Sequence, residues 1–146
     1  MAYSGKYIPN NHDKYSGKIG DIVFRSLWEL QTFKWCDKNN SIKKWGSETV
    51  IIPYYDPTAK RNRRYFIDLY IEFVNGEKII VEIKPKKQTL PPKTPKRKTR
   101  RYIRESMTYV RNCCKWEAAE KYATKRGWKF HIWNESDLRN LGMIIL

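Results

Sequence analysis

The chain has 146 residues, 40% of them hydrophobic and 14% aromatic, which suits one compact domain with one core and leaves no length for a second. Lys and Arg number 30 against 15 acids, a formal net charge of +15, and such an imbalance repels itself and calls for a polyanionic partner, nucleic acid before any other. No stretch sets an apolar face against a Lys/Arg face as a membrane-surface helix would, no apolar run reaches membrane-spanning length, and the start of the chain lacks a signal-peptide apolar region, so a soluble protein inside a cell is expected.

Cys36, Cys113 and Cys114 are an odd set without a Cys-x-x-Cys spacing, and His12 and His131 do not complete a zinc site with them. Reduced thiols are expected, and any metal must be held by oxygen.

Residues 1–20 hold glycines at 5, 17 and 20, Pro9, and several Lys, Asn and Tyr with no sustained period, which predicts an irregular arm lying over the domain. From Phe24 to about Lys38, apolar residues at 24, 27, 28, 30, 33 and 35 recur at helical spacings and predict a largely buried helix. Val50, Ile51, Ile52, Tyr54 and Tyr55 suggest a short strand that Pro53 confines to an edge or a bulge, and a basic turn follows at Lys60 to Arg64.

Residues 64–86 form two alternating runs around Asn75-Gly76, the signature of a β-hairpin. With Asn75-Gly76 alone as the loop, Val74 faces Glu77 and Leu69 faces Glu82, setting apolar residues against polar ones. With Val74, Asn75 and Gly76 as a three-residue loop and Gly76 left-handed, Phe73 faces Glu77 and the residues sort. One face then collects Ile67, Leu69, Ile71, Phe73, Ile79, Val81 and Ile83. The other, wet face collects Asp68, Tyr70, Glu72, Lys78, Ile80, Glu82 and Lys84, and sets Asp68 directly opposite Glu82.

Lys84 to Arg104 holds ten Lys or Arg, four Pro and no acid, which predicts a mobile basic loop over about 85–100. A long helix should begin near Arg101 and end with Gly127 as its C-terminal cap. Trp128 to Trp133 reads as a strand, Asn134 or Ser136 as the cap of a short last helix with Asp137 in its first turn, and Met143 to Leu146 as a tail that docks as a strand. The expected order is α, β, β, β, α, β, α, with no internal repeat.

Two carboxylates facing one another across a hairpin have Cβ atoms about 4.5–5.5 Å apart, within reach of one hard divalent cation. Mg²⁺ fits, with Mn²⁺ as the alternative, because it takes oxygen ligands and keeps waters for substrate phosphates. Lys84, two residues after Glu82, points to the same side, where it would orient or deprotonate an attacking water or stabilise charge on the phosphate. Strand faces also carry Asp, Glu and Lys as plain solvated ion pairs. Here the two acids, the lysine and the basic loop that follows them favour chemistry on a polyanion.

FID at 66–68 followed by VEIK at 81–84 resembles the paired half-motifs of the PD-(D/E)XK nuclease superfamily, with Ile67 in place of the proline that gives the motif its name. The resemblance implies that Asp68 and Glu82 bind metal, that the Ile83 main-chain carbonyl adds a ligand, and that Lys84 assists the water. RSLWE at 25–29, Glu48 and residues 112–138 are similar to the TnsA type of transposon endonuclease. GKYIPNN, RSLWE, RRYFIDLYIEF and KPKKQTLPP resemble, over nearly the whole chain, the head-completion nucleases of T-even-type tailed phages. That likeness implies DNA cutting or trimming at the filled head at the end of packaging, a place in the host cytoplasm or on the virion, and head or portal proteins as partners.

The same resemblance makes Glu29 a third acidic member, carried on the first helix. Its spacing from Ser26 is also that of a capping box, in which Glu29 only bonds a main-chain amide, and spacing does not separate the two. Glu48 reads as an ion pair at a strand start, Arg25 as holding a DNA phosphate or a site carboxylate, and Gln88 as a neighbour of Lys84. Lys86, Lys87, Lys93, Lys96, Arg97, Lys98, Arg100 and Arg101 are expected to contact phosphates without reading bases, or else to form a solvated tail. The tryptophans fall mostly on core faces, and His131 is given no role.

The expected fold is an α/β, restriction-endonuclease-like core: a small mixed sheet with the two longer helices packed on it. The expected reaction is Mg²⁺-dependent hydrolysis of DNA phosphodiesters. Competing with head completion are transposon-end or junction cleavage on the same fold, and a non-catalytic DNA-binding virion protein.

Overall fold

A computed structural model describes residues 4–145 of the chain. Along it run β1 (Gly5–Lys6), β2 (Val23–Phe24), α1 (Leu27–Lys38), β3 (Ile42–Gly46), β4 (Ile51–Asp56), β5 (Arg61–Phe66), β6 (Leu69–Phe73), β7 (Lys78–Ile83), α2 (Arg100–Arg126), β8 (Lys129–Trp133) and α3 (Glu135–Asn140). The central sheet has the order β3-β6-β7-β8; its first two pairings are antiparallel and the last, β7 with β8, is parallel. This is the small mixed sheet with flanking helices of an α/β fold.

The β6–β7 hairpin closes as the alternation requires. The Phe73 amide donates to the Glu77 carbonyl at 2.8 Å and the Gly76 amide to the Phe73 carbonyl at 2.9 Å. Gly76 has φ +93°, a left-handed conformation that a residue without Cβ adopts freely. Leu69 stands opposite Val81 and Ile71 opposite Ile79, and the ladder ends there, with Asp68 at the bend just before β6.

The two faces of the sheet depart from the expectation of one dry and one wet side. Leu69, Ile71, Ile79, Val81 and Ile83 pack with Phe33, Cys36, Trp45 and Leu138. The opposite face is also closed: Ile80 is fully buried against Ile52, Tyr54, Tyr65, Ala119 and Ala123. The cause is the parallel β7–β8 pairing, because a parallel connection needs a long crossover, here α2, which lies over the face it crosses. Ile67 belongs to this second cluster rather than to the first, since a bend at residues 67–68 separates β5 from β6 and interrupts the alternation.

Four strands lie where none was expected: the short β1 and β2, which pair with each other, and two further on. β3 pairs with β6, and the basic segment at Lys60 to Arg64 is mostly strand: Arg61 to Arg64 pair with β4 while Lys60, at φ +52°, ends the turn before them. Pro53 sits within β4 opposite Arg64 in this two-stranded ribbon, where a strand without a donor is tolerated. At the turn, Asp56 is buried and accepts from the Thr58 amide at 2.9 Å, Arg63 Nε at 2.7 Å and Arg111 Nε at 3.0 Å, which ties the ribbon to α2. Burial alone would raise its pKa; these hydrogen bonds overcome that and hold the carboxyl below the usual range.

The first helix begins at Leu27 rather than Phe24. Ser26 caps it, its Oγ accepting from the Glu29 amide at 3.2 Å, while Phe24 lies in β2 opposite Gly5. The N-terminal arm is largely irregular and is pinned by buried Asp37, which accepts the amides of Asn10 and Asn11 at 2.8 and 3.2 Å. The second helix starts at Arg100, capped by Thr99, so Arg100 and Arg101 are helical and the irregular basic segment ends at 99. It stops at Gly127, with φ +72°. Asn134 caps α3 in a reciprocal capping box with Asp137. The tail is not a strand: Met143 and Ile145 are buried without strand pairing, and Leu146 lies outside the described residues.

Truncating Ile80 tests the closed second face. Ile80→Ala should cost about 2–5 kcal/mol in urea unfolding, as for a methylene-rich side chain removed from a packed core. A cost under about 0.5 kcal/mol, usual for a surface site, would mean that face is solvated.

Candidate active site

Asp68 stands at the bend between β5 and β6, and its Oδ2 accepts from the Ile83 amide at 2.8 Å. That bond fastens the end of one strand to the end of the other. Burial, then the charge of Glu82, pushes the Asp68 carboxyl well above its ordinary range, with the Ile83 amide opposing them. Glu82 is only 8% exposed. Its Oε1 lies 3.6 Å from Lys84 Nζ, and its Oε2 accepts from the Tyr65 hydroxyl. Lys84 follows β7 directly and is anchored by its amide, which donates to the Trp133 carbonyl of β8 at 3.0 Å.

Glu29 enters from the first turn of α1. It makes half of the expected capping box: Ser26 bonds the Glu29 amide, but the Glu29 carboxylate reaches one residue further back and accepts from the Arg25 amide at 2.7 Å. Burial raises its pKa, the Arg25 amide and charge lower it, and the charges of Glu48 and Glu82 raise it again. Glu29 is in turn among the charges that raise Asp68. The carboxylate that bonds the Arg25 amide is therefore also near enough to act on Asp68 through its charge.

Arg25 meets a carboxylate, but that of Glu48, with which it forms an ion pair. Gln88 lies in a 3-10 turn over Lys86–Thr89, its amide donating to the Pro85 carbonyl at 2.9 Å, with no hydrogen bond to Lys84. Lys86, Lys87, Lys93, Lys96, Arg97, Lys98, Arg100 and Arg101 are all exposed. Among them Arg101 alone pairs with a carboxylate, that of Glu105 at 2.8 Å.

Two further groups at the site escape a reading of the hairpin alone. Tyr65 donates to Glu82, and burial, then the Glu82 charge, pushes its hydroxyl far above the ordinary range. Lys115 of α2 places its Nζ 5.4 Å from the centre of the Tyr65 ring. Burial lowers its pKa, the charges of Glu82 and Asp68 raise it, and those of Lys84 and Arg111 lower it. A signal for Lys115 exists in the sequence. It is three residues after Asn112 and four before Ala119, both buried, so it puts a cation on the packed stripe of α2.

Among the described residues, no group of three or more His, Cys, Asp and Glu side chains converges to hold a metal ion. Asp68 and Glu82 are nonetheless a hard oxygen pair whose mutual repulsion a divalent cation would relieve. Mg²⁺ is commonly bound by one or two carboxylates, with waters and substrate phosphates completing the shell. The donor chemistry therefore fits.

Residues 39–135 match the family model described as TnsA-like endonuclease N terminal, and nucleases of this kind generally use divalent metals. The head completion nuclease of Enterobacteria phage T4 is 46% identical over 146 residues, a match that spans 97% of this chain and 97% of the relative. With Asp68, Glu82 and Lys84 meeting at the strand ends inside the matched region, the chain belongs to the TnsA-like endonucleases of the PD-(D/E)XK superfamily and is a nuclease.

Proposed function

We propose that the chain hydrolyses DNA phosphodiesters with Mg²⁺, or Mn²⁺, at a centre formed by Asp68, Glu82 and Lys84, and that it does so in the completion of phage heads. What supports this reading is the gathering of the three groups at the strand ends: Asp68 accepts from the Ile83 amide at 2.8 Å, the Glu82 charge acts on the Asp68 carboxyl, and Lys84 Nζ lies 3.6 Å from Glu82. The full-length likeness to a head completion nuclease supports the biological setting. Partners would then be DNA, met mainly through phosphates, and head or portal proteins, with the protein in the host cytoplasm or on the virion. No described helix is long and apolar enough to cross a membrane.

Hydrolysis adds water across one P–O bond: the water oxygen bonds to phosphorus, and the leaving oxygen departs with a proton. Asp68, Glu82 and the Ile83 carbonyl would hold the cation, which supplies Lewis acidity at the phosphate when bound. Lys84 orients or deprotonates the water from beside Glu82. Tyr65 fixes one Glu82 oxygen, which leaves the other toward Lys84. Lys115 brings a second ammonium group to the same carboxylates without an ion pair of its own and stabilises charge on the phosphate. Glu29 adds a third carboxylate from α1. The exposed cations from Lys86 to Arg101 contact the phosphates beyond.

Nicking of supercoiled plasmid tests the centre. Wild type with Mg²⁺ should cut and chelator should stop it, while Asp68→Ala and Lys84→Ala should lose roughly 10²–10³-fold or more in rate with DNA binding retained. If wild type and variants bind alike and none cuts, the catalytic reading fails. A strong preference for four-way junctions over linear DNA would remove head completion as the role. Lys115→Met keeps the aliphatic stem and removes the charge. It should lower kcat about tenfold or more while thermal unfolding holds or improves, whereas an unchanged kcat would reduce Lys115 to packing.

A further inference from the structure

The β4–β5 ribbon has two chemically different faces. Inward, Ile52, Tyr54 and Tyr65 pack on α2 and on Ile80. Outward, Ile51, Pro53 and Tyr55 stand opposite Phe66, Arg64 and Asn62 in register, and all six are exposed. Such a face would normally be broken up by acids or covered by another element. Here the nearby acid, Asp56, is buried and engaged by Thr58, Arg63 and Arg111. Lys60, Arg61 and Arg64 are therefore left without a carboxylate in ion-pair range among the described residues. Arg64 lies 5.5 Å from the centre of the Phe66 ring.

This chemistry selects the occupant. A second copy would bring a like-charged face to a cationic one and be repelled, whereas nucleic acid supplies anions for the cations and sugar and base surfaces for the rings. The ribbon's placement agrees. β5 reaches the centre through Tyr65, whose hydroxyl donates to Glu82, and Asp68 follows Phe66 by two residues. With six residues in β5 and about 3.4 Å per residue, Lys60 and Arg61 stand about 20 Å from that end, a span of about six base pairs at 3.4 Å each.

We propose that the outer face of the β4–β5 ribbon is a second DNA-contact surface, gripping duplex on one side of the cut over about six base pairs. Arg64 from that face, and the exposed Lys60 and Arg61 from the turn end of the ribbon, take phosphates, and Tyr55 and Phe66 lie against the sugars. The proposal rests on DNA being the substrate, and it uses none of the residues assigned to the catalytic centre or to the irregular basic segment.

The test is fluorescence anisotropy of a labelled duplex in chelator, so that nothing is cut, between 50 and 200 mM salt. Arg61→Gln/Arg64→Gln should weaken binding at every salt and flatten the slope of log affinity against log salt by about 2, near 0.9 for each phosphate that the variant no longer neutralises. In cleavage with Mg²⁺, the same variant should raise KM and keep kcat. Lys60→Gln/Arg61→Gln, at the turn and away from Phe66, repeats the measurement should Arg64→Gln lower the melting temperature. Asp68→Ala in the same assay should leave the slope as in wild type. Wild-type slope and affinity in both ribbon variants would overturn the proposal. Failure of wild type to cut, with the slope difference intact, would instead overturn the catalytic reading and leave the ribbon as a DNA surface.

Discussion

Asp68 and Glu82 carry like charges into a closed part of the sheet, and such an arrangement persists only where neighbouring groups compensate it. The Ile83 amide bonds Asp68 at 2.8 Å, the Tyr65 hydroxyl bonds Glu82, and Lys84 stands 3.6 Å from the second Glu82 oxygen. Compensation is partial, because the Asp68 carboxyl is still driven upward by burial and by Glu82. On the proposed reading a divalent cation would relieve the repulsion that is left, and a phosphodiester brought to it would meet two ammonium groups, Lys84 and Lys115.

Each compensating group depends on a different part of the fold. The three-residue loop at 74–76 sets the register that brings Asp68 to Ile83. The parallel pairing of β7 with β8 fixes the main chain at Lys84. The crossover that this pairing requires is α2, which closes the second face of the sheet and delivers Lys115. The ribbon of β4 and β5 is clamped to α2 through Asp56 and Arg111, and that clamp positions Tyr65. Helix α1 adds the opposite influence: Glu29, held by its bond to the Arg25 amide, is a further like charge that raises Asp68.

The hairpin was legible because period-two alternation leaves one register that sorts apolar from polar side chains, and Gly76 permits the loop that register needs. Gly127 was legible for a similar reason, and the cap of the last helix was narrowed to Asn134 or Ser136, of which Asn134 is the one used, since such residues have local chemistry that ends or starts a helix. What the sequence concealed was tertiary. Ile80 reads as a solvent-facing member of an alternating strand, and only the α2 crossover, with Ala119 and Ala123 set against it, buries it. Ile67 follows the alternation in sequence but leaves it in space because the chain bends at 67–68. β3 is short and mixed in composition, and the Arg-rich β5 reads as a turn until its pairing with β4 is seen. Tyr65 was hidden with them, and for Lys115 the helical spacing gives the packed stripe of α2 but not the approach to Glu82, because both approaches are made by the ribbon and by α2 rather than by the hairpin.

The proposed centre requires that the Asp68 and Glu82 carboxylates favour a divalent cation over facing one another unpaired. Thermal unfolding of metal-free protein, titrated with Mg²⁺ and with Mn²⁺, measures this without any cleavage. Binding to the folded state alone stabilises by RT ln(1 + [L]/Kd), about 2.7 kcal/mol at a hundredfold excess over Kd. The melting temperature of wild type should therefore climb with ion concentration, and that of Asp68→Asn should stay flat. A wild-type protein indifferent to either ion, or an Asp68→Asn variant that responds just as strongly, would contradict that preference.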